Sequence, residues 1–232
     1  PVVAVTMTDA FVGVHDGDGR ADPGETIQYT AVINNTGVVP GTDDAIGVTF
    51  TDTIDPNTTL VGGSVSASPV GVNDTFPVTV TGNISINSAA LASPFSVTTN
   101  DYLGQNPEAT IAQVQASTTI VGDTITTTTT NGGNVVMTVS GVNMGFFTYD
   151  PPAGFEGADT FTYVLSDNTN AASAALNRTA TVTINVSGMI WFVNNAAPAC
   201  TAAGCGRLSN PFSTLAVFNT LNDNAGGAHP GN

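Results

Sequence analysis

Hydrophobic and polar side chains alternate along much of this chain with a period of two. Phe161, Tyr163 and Leu165 alternate with hydroxyl-bearing residues such as Thr160 and Thr162. Successive side chains of a β-strand point to opposite faces, so this run predicts a strand with one buried face and one solvated face. Further strands are predicted at residues 3–7, 27–33, 48–54, 147–149 and 189–193. The chain is therefore predicted to be all-β.

The middle of the chain carries a specific sequence pattern. Residues 147–167 read FTYDPPAGFEGADTFTYVLSD, and residues 180–186 read ATVTINV. Upstream of them, VGVNDTFPV and SVTTNDYLG occur between residues 70 and 104. This combination resembles the cadherin-like, immunoglobulin-type repeats of large bacterial surface proteins. The resemblance implies a β-sandwich over residues 70–187 that serves as a calcium-stiffened extracellular spacer or adhesive module.

The same resemblance implies calcium ligands at the entrance of this sandwich, in its first inter-strand turn and on either side of the aromatic strand. The implied ligands are Asp74, Asp101, Asp159 and Asp167. Asp74 and Asp101 each follow an asparagine, and Asn-Asp is also an ordinary turn pair, so a turn role remains open for each position. Taken together, they predict one interdomain calcium site that would freeze the hinge at residues 68–72.

The first 69 residues resemble a second kind of surface repeat. Residues 22–37 read DPGETIQYTAVINNTG, and residues 47–64 read GVTFTDTIDPNTTLVGGS. This order resembles an immunoglobulin-like bacterial repeat that has Pro-Gly-Glu or Pro-Gly-Asp before a tyrosine-containing strand and Asn-Thr-Gly after it. The resemblance implies a short immunoglobulin-like β-domain over residues 1–69. That family continues with more strands than this segment offers, so we expect an unpaired edge that another chain or segment fills.

An acidic, glycine-containing loop separates the first two predicted strands. It offers four carboxylates whose oxygens the loop glycines allow to converge, as hard cations require. The predicted ligands are Asp16, Asp18, Arg20, Asp22 and Glu25, with Asp9 adding an oxygen from the preceding strand. The loop resembles the beginning of an EF-hand, although Ala21 stands at its sharp-turn position, the acidic end residue comes early and helices do not flank it. We predict a compact calcium loop outside the EF-hand fold; a solvated acidic turn is the alternative.

The charge balance favours a cation as counter-charge. Asp and Glu number 18 against 3 Lys and Arg, which gives a net charge of −15. Such a surface repels phosphate backbones, so nucleic acid is not an expected partner. No apolar run approaches the roughly 20 residues of a transmembrane helix. The low content of charged residues, with many threonines, serines and asparagines, is typical of secreted β-proteins.

Residues 188–232 differ in character from the rest of the chain. IWFVNN at residues 190–195 and GCGRLSNPFSTLAVF at residues 204–218 resemble the entry of right-handed parallel β-helix domains. The resemblance implies a cap strand, a cysteine loop and a short helix, followed by a loosely ordered tail. Cys200 and Cys205 are close enough to close a small loop in an oxidising compartment. We predict a disulfide; two free thiols are the alternative.

These features predict two tandem immunoglobulin- or cadherin-like β-sandwiches followed by a short β-helix cap fragment. We expect a non-enzymatic structural or adhesive segment of a large bacterial cell-surface or secreted protein, with calcium as its cofactor. Its expected partners are other domains of the same long chain or identical neighbouring subunits, and a surface glycan or protein is a further candidate ligand.

Two other functions remain open. The first is a subunit of an extracellular filament, assembled by exchange of a strand such as residues 2–8. The second is a polysaccharide-binding or -processing protein, which the β-helix resemblance implies. A catalytic constellation is not evident, because His15 and His229 lie at opposite ends of the chain and the carboxylates are spaced as cation ligands.

Overall fold

The computed structural model describes residues 2–35, 48–62, 64–65, 68–103, 109–166, 179–200 and 204–221. The strands are β1 Val3–Val12, β2 Thr26–Asn35, β3 Asp74–Thr75, β4 Val80–Gly82, β5 Ile86–Asn87, β6 Thr110–Val114, β7 Ile120–Val121, β8 Thr124–Thr128, β9 Asn134–Thr138, β10 Phe147–Asp150, β11 Gly157–Ser166 and β12 Thr179–Met189. The helix α1 spans Leu215–Leu221, and short 3-10 turns lie at Ser88–Ala90, Val97–Thr99 and Gly141–Asn143. The predicted all-β fold class is confirmed.

The chain divides into two compact units, Pro1–Val61 and Gly62–Asn232. The sequence places its domain boundaries at residues 69 and 187, and these boundaries stay predictions. In the structure the described part of the C-terminal segment belongs to the same unit as the predicted cadherin-like repeat. The predicted loosely ordered tail beyond Leu221 lies outside the described residues.

In the described part of the first unit, β1 and β2 form an antiparallel hairpin. Strands β1 and β2 pair over their full length, from Val3 opposite Asn35 to Val12 opposite Thr26. One face of the hairpin is apolar and exposed, and its large exposed side chains are Val3, Val5, Met7, Tyr29 and Ile33. The strand predicted at residues 48–54 is wrong, since the structure assigns these residues no strand pairing. Alternation favours a strand with one apolar face, but a strand also needs backbone hydrogen bonds to a neighbouring strand.

The second unit is a sandwich-like arrangement of two sheets. The first sheet has the order β5-β10-β9-β8-β7, and its strand pairs are antiparallel. The second has the order β3-β12-β11-β6, with β4 also pairing β12. In this sheet β3 and β4 run parallel to β12, whereas β11 is antiparallel to both its neighbours. Side chains from both sheets form one hydrophobic core.

The aromatic strand β11 supplies the centre of that core. Phe161, Tyr163 and Leu165 are fully buried, as their alternation predicts. Phe147 of β10 packs edge-on against Phe161 with ring centroids 5.3 Å apart, across the two sheets. Asp159 occupies the same buried register of β11, so this face carries a carboxylate as well as aromatic rings.

After β12 the chain forms an irregular segment that ends in α1. The predicted strand at residues 189–193 is only partly present, because β12 ends at Met189 and Val193 makes an isolated bridge. That bridge joins Val193 to Phe212 in parallel. Trp191, Phe212 and Phe218 form an aromatic cluster with centroids 5.7 to 6.5 Å apart. Among the described residues no helix has both the length and the apolar character needed to cross a bilayer.

Candidate functional site

The acidic loop between β1 and β2 brings three carboxylates together. Oxygens of Asp16, Asp18 and Asp22 all lie within 4.8 Å of one another, and all three residues are exposed. The loop is curled by its own polar contacts, since the Asp18 amide donates to Asp16 Oδ1 at 3.0 Å and the Arg20 amide donates to Asp18 Oδ1 at 2.8 Å. Positive φ angles at Gly17 and other loop glycines permit this tight path.

Glu25 accepts two backbone hydrogen bonds within the acidic loop. Its Oε1 accepts the Asp16 amide at 3.0 Å, and its Oε2 accepts the Asp22 amide at 2.9 Å. Glu25 therefore ties the two ends of the loop together and does not belong to the converging triad. Asp9, also predicted to contribute an oxygen, lies in β1 opposite Tyr29 and is not a member of the triad either.

The triad has the donor chemistry of a hard divalent cation. Carboxylate oxygens are preferred by calcium and magnesium, and calcium takes six to eight oxygens in all. Asp16, Asp18 and Asp22 are the described residues that could hold such an ion. The remaining oxygens would come from water or from backbone carbonyls, since the cluster is open to solvent.

A second pair of carboxylates meets at one end of the sandwich. The Tyr163 hydroxyl lies 2.8 Å from Asp101 Oδ2 and 3.1 Å from Asp74 Oδ2. The carbonyl oxygens of Val97 and Val72 lie 3.1 Å and 3.4 Å from the same hydroxyl. A phenol carries one proton, so four acceptors compete for a single donor. The structure thus joins two of the predicted calcium ligands through a tyrosine.

Burial alters the acidity of these groups. Desolvation raises the pKa of Asp74 to about 7; the hydrogen bond from Tyr163 opposes this rise and the charge of Asp101 adds to it. Desolvation likewise raises the pKa of Asp101. The pKa of Tyr163 is raised by its own burial and by both carboxylates. The pKa values of both carboxyl groups are therefore raised, and that of Asp74 lies near neutral pH.

Asp159 is fully buried and belongs to a separate network. Thr129 Oγ1 and the Tyr149 hydroxyl donate to its Oδ2 at 2.5 Å and 2.8 Å. The amides of Asn131 and Thr160 donate to its Oδ1 at 3.0 Å and 2.8 Å. These four protein donors occupy both oxygens of the carboxylate. Burial and the adjacent carboxylate raise the pKa of Tyr149, which stays protonated as a donor.

The predicted interdomain calcium site stays a prediction, and the structure brings two of its four aspartates together. Asp74 and Asp101 meet on Tyr163, Asp159 bonds with other partners, and Asp167 lies outside the described residues. The asparagines before Asp74 and Asp101 make hydrogen bonds to segments distant in the chain. Asn73 Oδ1 accepts the Thr181 amide, and its carbonyl accepts the Asn100 side chain.

Sequence reasoning missed the residues that organise these networks. The alternation of residues in the predicted strands places the side chains of Tyr163 and Tyr149 in the core. It gives no partner for their hydroxyl groups. A buried tyrosine needs an acceptor for its hydroxyl, and this requirement could have indicated the two networks from the sequence.

Near the C-terminus, a disulfide joins Cys200 and Cys205 with their Cα atoms 5.8 Å apart.

Comparison of the chain with protein-family models, curated proteins and solved structures found no match. The resemblances to bacterial surface repeats and to β-helix domains therefore rest on the quoted residues alone, and their functional implications are proposals.

Proposed function

We propose that this chain is a non-enzymatic structural or adhesive segment of a large bacterial cell-surface or secreted protein, stiffened by calcium. The observation that supports the proposal is the convergence of Asp16, Asp18 and Asp22 in an exposed loop of an all-β protein. The disulfide between Cys200 and Cys205 agrees with an oxidising, extracellular setting. Other domains of the same long chain are the proposed partners, with a surface glycan or protein as a possible ligand.

Calcium would act on the loop through charge. Three carboxylates within 4.8 Å repel one another, and water only partly screens that repulsion. A divalent ion binds them and removes the repulsion, so the loop that joins β1 to β2 becomes rigid. The chain as a whole has a net charge of −15, and bound cations lower the repulsion between its negative charges as well.

Trypsin tests this proposal at a single peptide bond. The chain contains only 3 Lys and Arg residues, and Arg20 lies inside the acidic loop. At a calcium concentration ten times the dissociation constant, we expect cleavage after Arg20 to slow about 10-fold, because the ion reduces the open population of the loop. Asp18→Asn keeps an oxygen for the Arg20 amide but removes a charge, and it is expected to abolish this protection.

The control for this experiment is Asp123→Asn, which changes an exposed aspartate in the turn between β7 and β8. This variant should retain the full calcium protection of Arg20. Calorimetric titration of the same proteins with calcium gives the dissociation constant directly. Equal cleavage rates in calcium and in chelator, together with no heat of binding, would exclude the calcium loop.

The exposed apolar face of the β1–β2 hairpin favours one alternative, a subunit of a filament assembled by strand exchange. Val3, Val5 and Ile33 on this face are each more than two-fifths exposed. Strand β1 pairs with β2 within the chain, so exchange requires the β1 of a neighbour to replace it. Electron micrographs with and without calcium separate the two functions. Ordered filaments that disperse in chelator favour exchange, whereas isolated rods favour the spacer.

A further inference from the structure

A short segment near the C-terminus, which we call the strap (residues 204–212), lies across one end of the sandwich. Its Arg207 forms an ion pair with Asp150 at the end of β10, with Nη1 3.2 Å from Oδ2. Arg207 Nη1 also donates to the Pro151 carbonyl oxygen at 3.3 Å. Ser209 Oγ donates to the same Asp150 oxygen at 2.7 Å. The strap is thus attached to the turn that follows β10.

Asn83 provides a second attachment for the strap. This residue is fully buried and has a positive φ of 68°, which asparagine tolerates better than most residues. Its carbonyl oxygen accepts the Leu208 amide at 2.8 Å, and its Oδ1 accepts the Gly154 amide at 2.9 Å. Its Nδ2 donates to the Ile190 carbonyl oxygen at 3.0 Å. The side chain and the carbonyl group of Asn83 therefore connect the strap, the turn after β10 and the segment that follows β12.

The inner side of the strap packs against the aromatic cluster. A Cβ atom at Gly206 would lie 2.3 Å from the Trp191 ring and 2.5 Å from the Phe212 ring, so only glycine allows this contact. Gly206 also has a φ of 91°, which disfavours any side chain. Within the described residues, the buried Trp191 Nε1 has no hydrogen-bond acceptor. An unpaired buried N–H is unfavourable, so part of the packing energy is offset whenever the strap is docked.

The disulfide stands at the start of this strap. Cys205 is 2% exposed, and it is bonded to Cys200 five positions earlier. A covalent ring of this length restricts the chain most when the strap is free. In the chain-entropy description, loss of such a ring enlarges the undocked population on the order of 40-fold. Without the disulfide, the undocked strap gains more conformational entropy, and this gain opposes the polar contacts at Asp150 and Asn83 that hold the strap docked.

We propose that the Cys200–Cys205 disulfide is a redox-sensitive latch that keeps the strap docked on the sandwich when oxidised and releases it when reduced. The reductant is a dithiol. One of its thiolates attacks Sγ of Cys200, the more accessible cysteine, and Cys205 leaves as a thiolate. The second thiol of the reductant then displaces Cys200 from the mixed disulfide. Two protons from the dithiol end on the two cysteines, and the dithiol becomes a cyclic disulfide.

Two natural reporters allow a direct test on the intact chain. Trp191 is the only tryptophan, and Arg207 is one of only 3 tryptic positions. We expect dithiothreitol to shift tryptophan emission to longer wavelength and to accelerate cleavage after Arg207 about 40-fold, since cleavage follows the open population. The far-ultraviolet circular dichroism of the sheets should not change. Unchanged emission and cleavage would overturn the proposal, and so would a cooperative loss of the sheet signal.

Two variants separate the latch from the reductant. Cys200→Ser combined with Cys205→Ser should show the released emission and fast Arg207 cleavage without dithiothreitol, and should no longer respond to it. Asp150→Asn removes the ion pair while keeping the disulfide, and a several-fold faster cleavage after Arg207 is expected. Asp123→Asn serves as the matched control and should behave as the native protein in both redox states. Full protection of Arg207 in the double serine variant would overturn the proposal independently of any reductant.

Discussion

Replacing Asp159 with alanine is expected to lower the free energy of unfolding of the second unit by about 4 kcal/mol. The carboxylate is 0% exposed and accepts hydrogen bonds from Thr129, Asn131, Tyr149 and Thr160. Alanine removes the acceptor of all four donors, of which Thr129 and Tyr149 are buried, and also creates a cavity. Hydroxyl groups can rotate to new partners, but the two backbone amides cannot.

Asp159→Asn separates the shape of this side chain from its charge. The asparagine amide has nearly the same volume as the carboxylate, so no cavity forms. Its NH₂ group cannot accept the hydrogen bonds on one side, so we expect about half of the decrease in unfolding free energy of the alanine variant. Urea unfolding is followed by the far-ultraviolet circular dichroism of the sheets, because strands β3 to β12 belong to the second unit. The exposed Asp123→Asn is the control and should change the unfolding free energy by less than about 0.5 kcal/mol.

Calcium decides between the two roles of Asp159. If the carboxylate serves only its four protein donors, the loss of stability is equal in calcium and in chelator. A loss that appears only in calcium would restore the predicted role of Asp159 as a calcium ligand. A loss of less than about 1 kcal/mol in both conditions would contradict the buried network.

Tyr163→Phe is expected to destabilise the second unit by about 2 kcal/mol at pH 8. The phenylalanine ring fills the same space, so packing in the core is retained. The lost hydroxyl is the donor shared by Asp74 and Asp101, at 3.1 Å and 2.8 Å. The buried Asp74 and the half-buried Asp101 then lose a hydrogen-bond donor that favours their charged forms.

The pH dependence of stability follows from the raised pKa of Asp74. Its value in the folded chain is about 7, against the ordinary value of 3.8 in the unfolded chain. Between these values the folded state holds a proton that the unfolded state has lost, so stability falls as pH rises from about 4 to about 7. Loss of the Tyr163 donor raises the pKa of Asp74 further. The decline with pH should therefore extend to higher pH in Tyr163→Phe.

Urea midpoints measured in chelator between pH 4 and pH 9 test this prediction. Tyr102→Phe is the matched control, because Tyr102 is 45% exposed and lies outside the shared network. Its midpoints should follow those of the native protein at every pH. A Tyr163→Phe variant with the same pH profile as the native chain would show that the two carboxylates do not depend on this hydroxyl.

The positions of several elements could be predicted from the sequence because they depend on local pattern. The alternation at Phe161, Tyr163 and Leu165 predicted a half-buried strand, and β11 has that burial. The carboxylates of Asp16, Asp18 and Asp22 also converge, because glycines within the same short loop set its path. In both cases the residues that determine the structure are close neighbours along the chain.

Pairing between distant segments was decided by the tertiary structure. The alternation at residues 48–54 predicted a strand, but pairing needs a second backbone, and none is assigned to it. Asp74, Asp101 and Asp159 were all predicted as calcium ligands, yet Tyr163 joins the first two and four other donors surround the third. The strap is held by Asn83, whose carbonyl oxygen accepts the amide of Leu208 from a distant part of the chain.

The sequence by itself determined the all-β class, the acidic loop and the acidic charge of this protein, since each follows from residue type and short-range spacing. The tertiary structure alone decided which carboxylates are buried, which donors reach them and where the strap docks. Burial and donor geometry depend on segments that are brought together only when the two sheets pack, and hydrophobic periodicity describes one strand at a time.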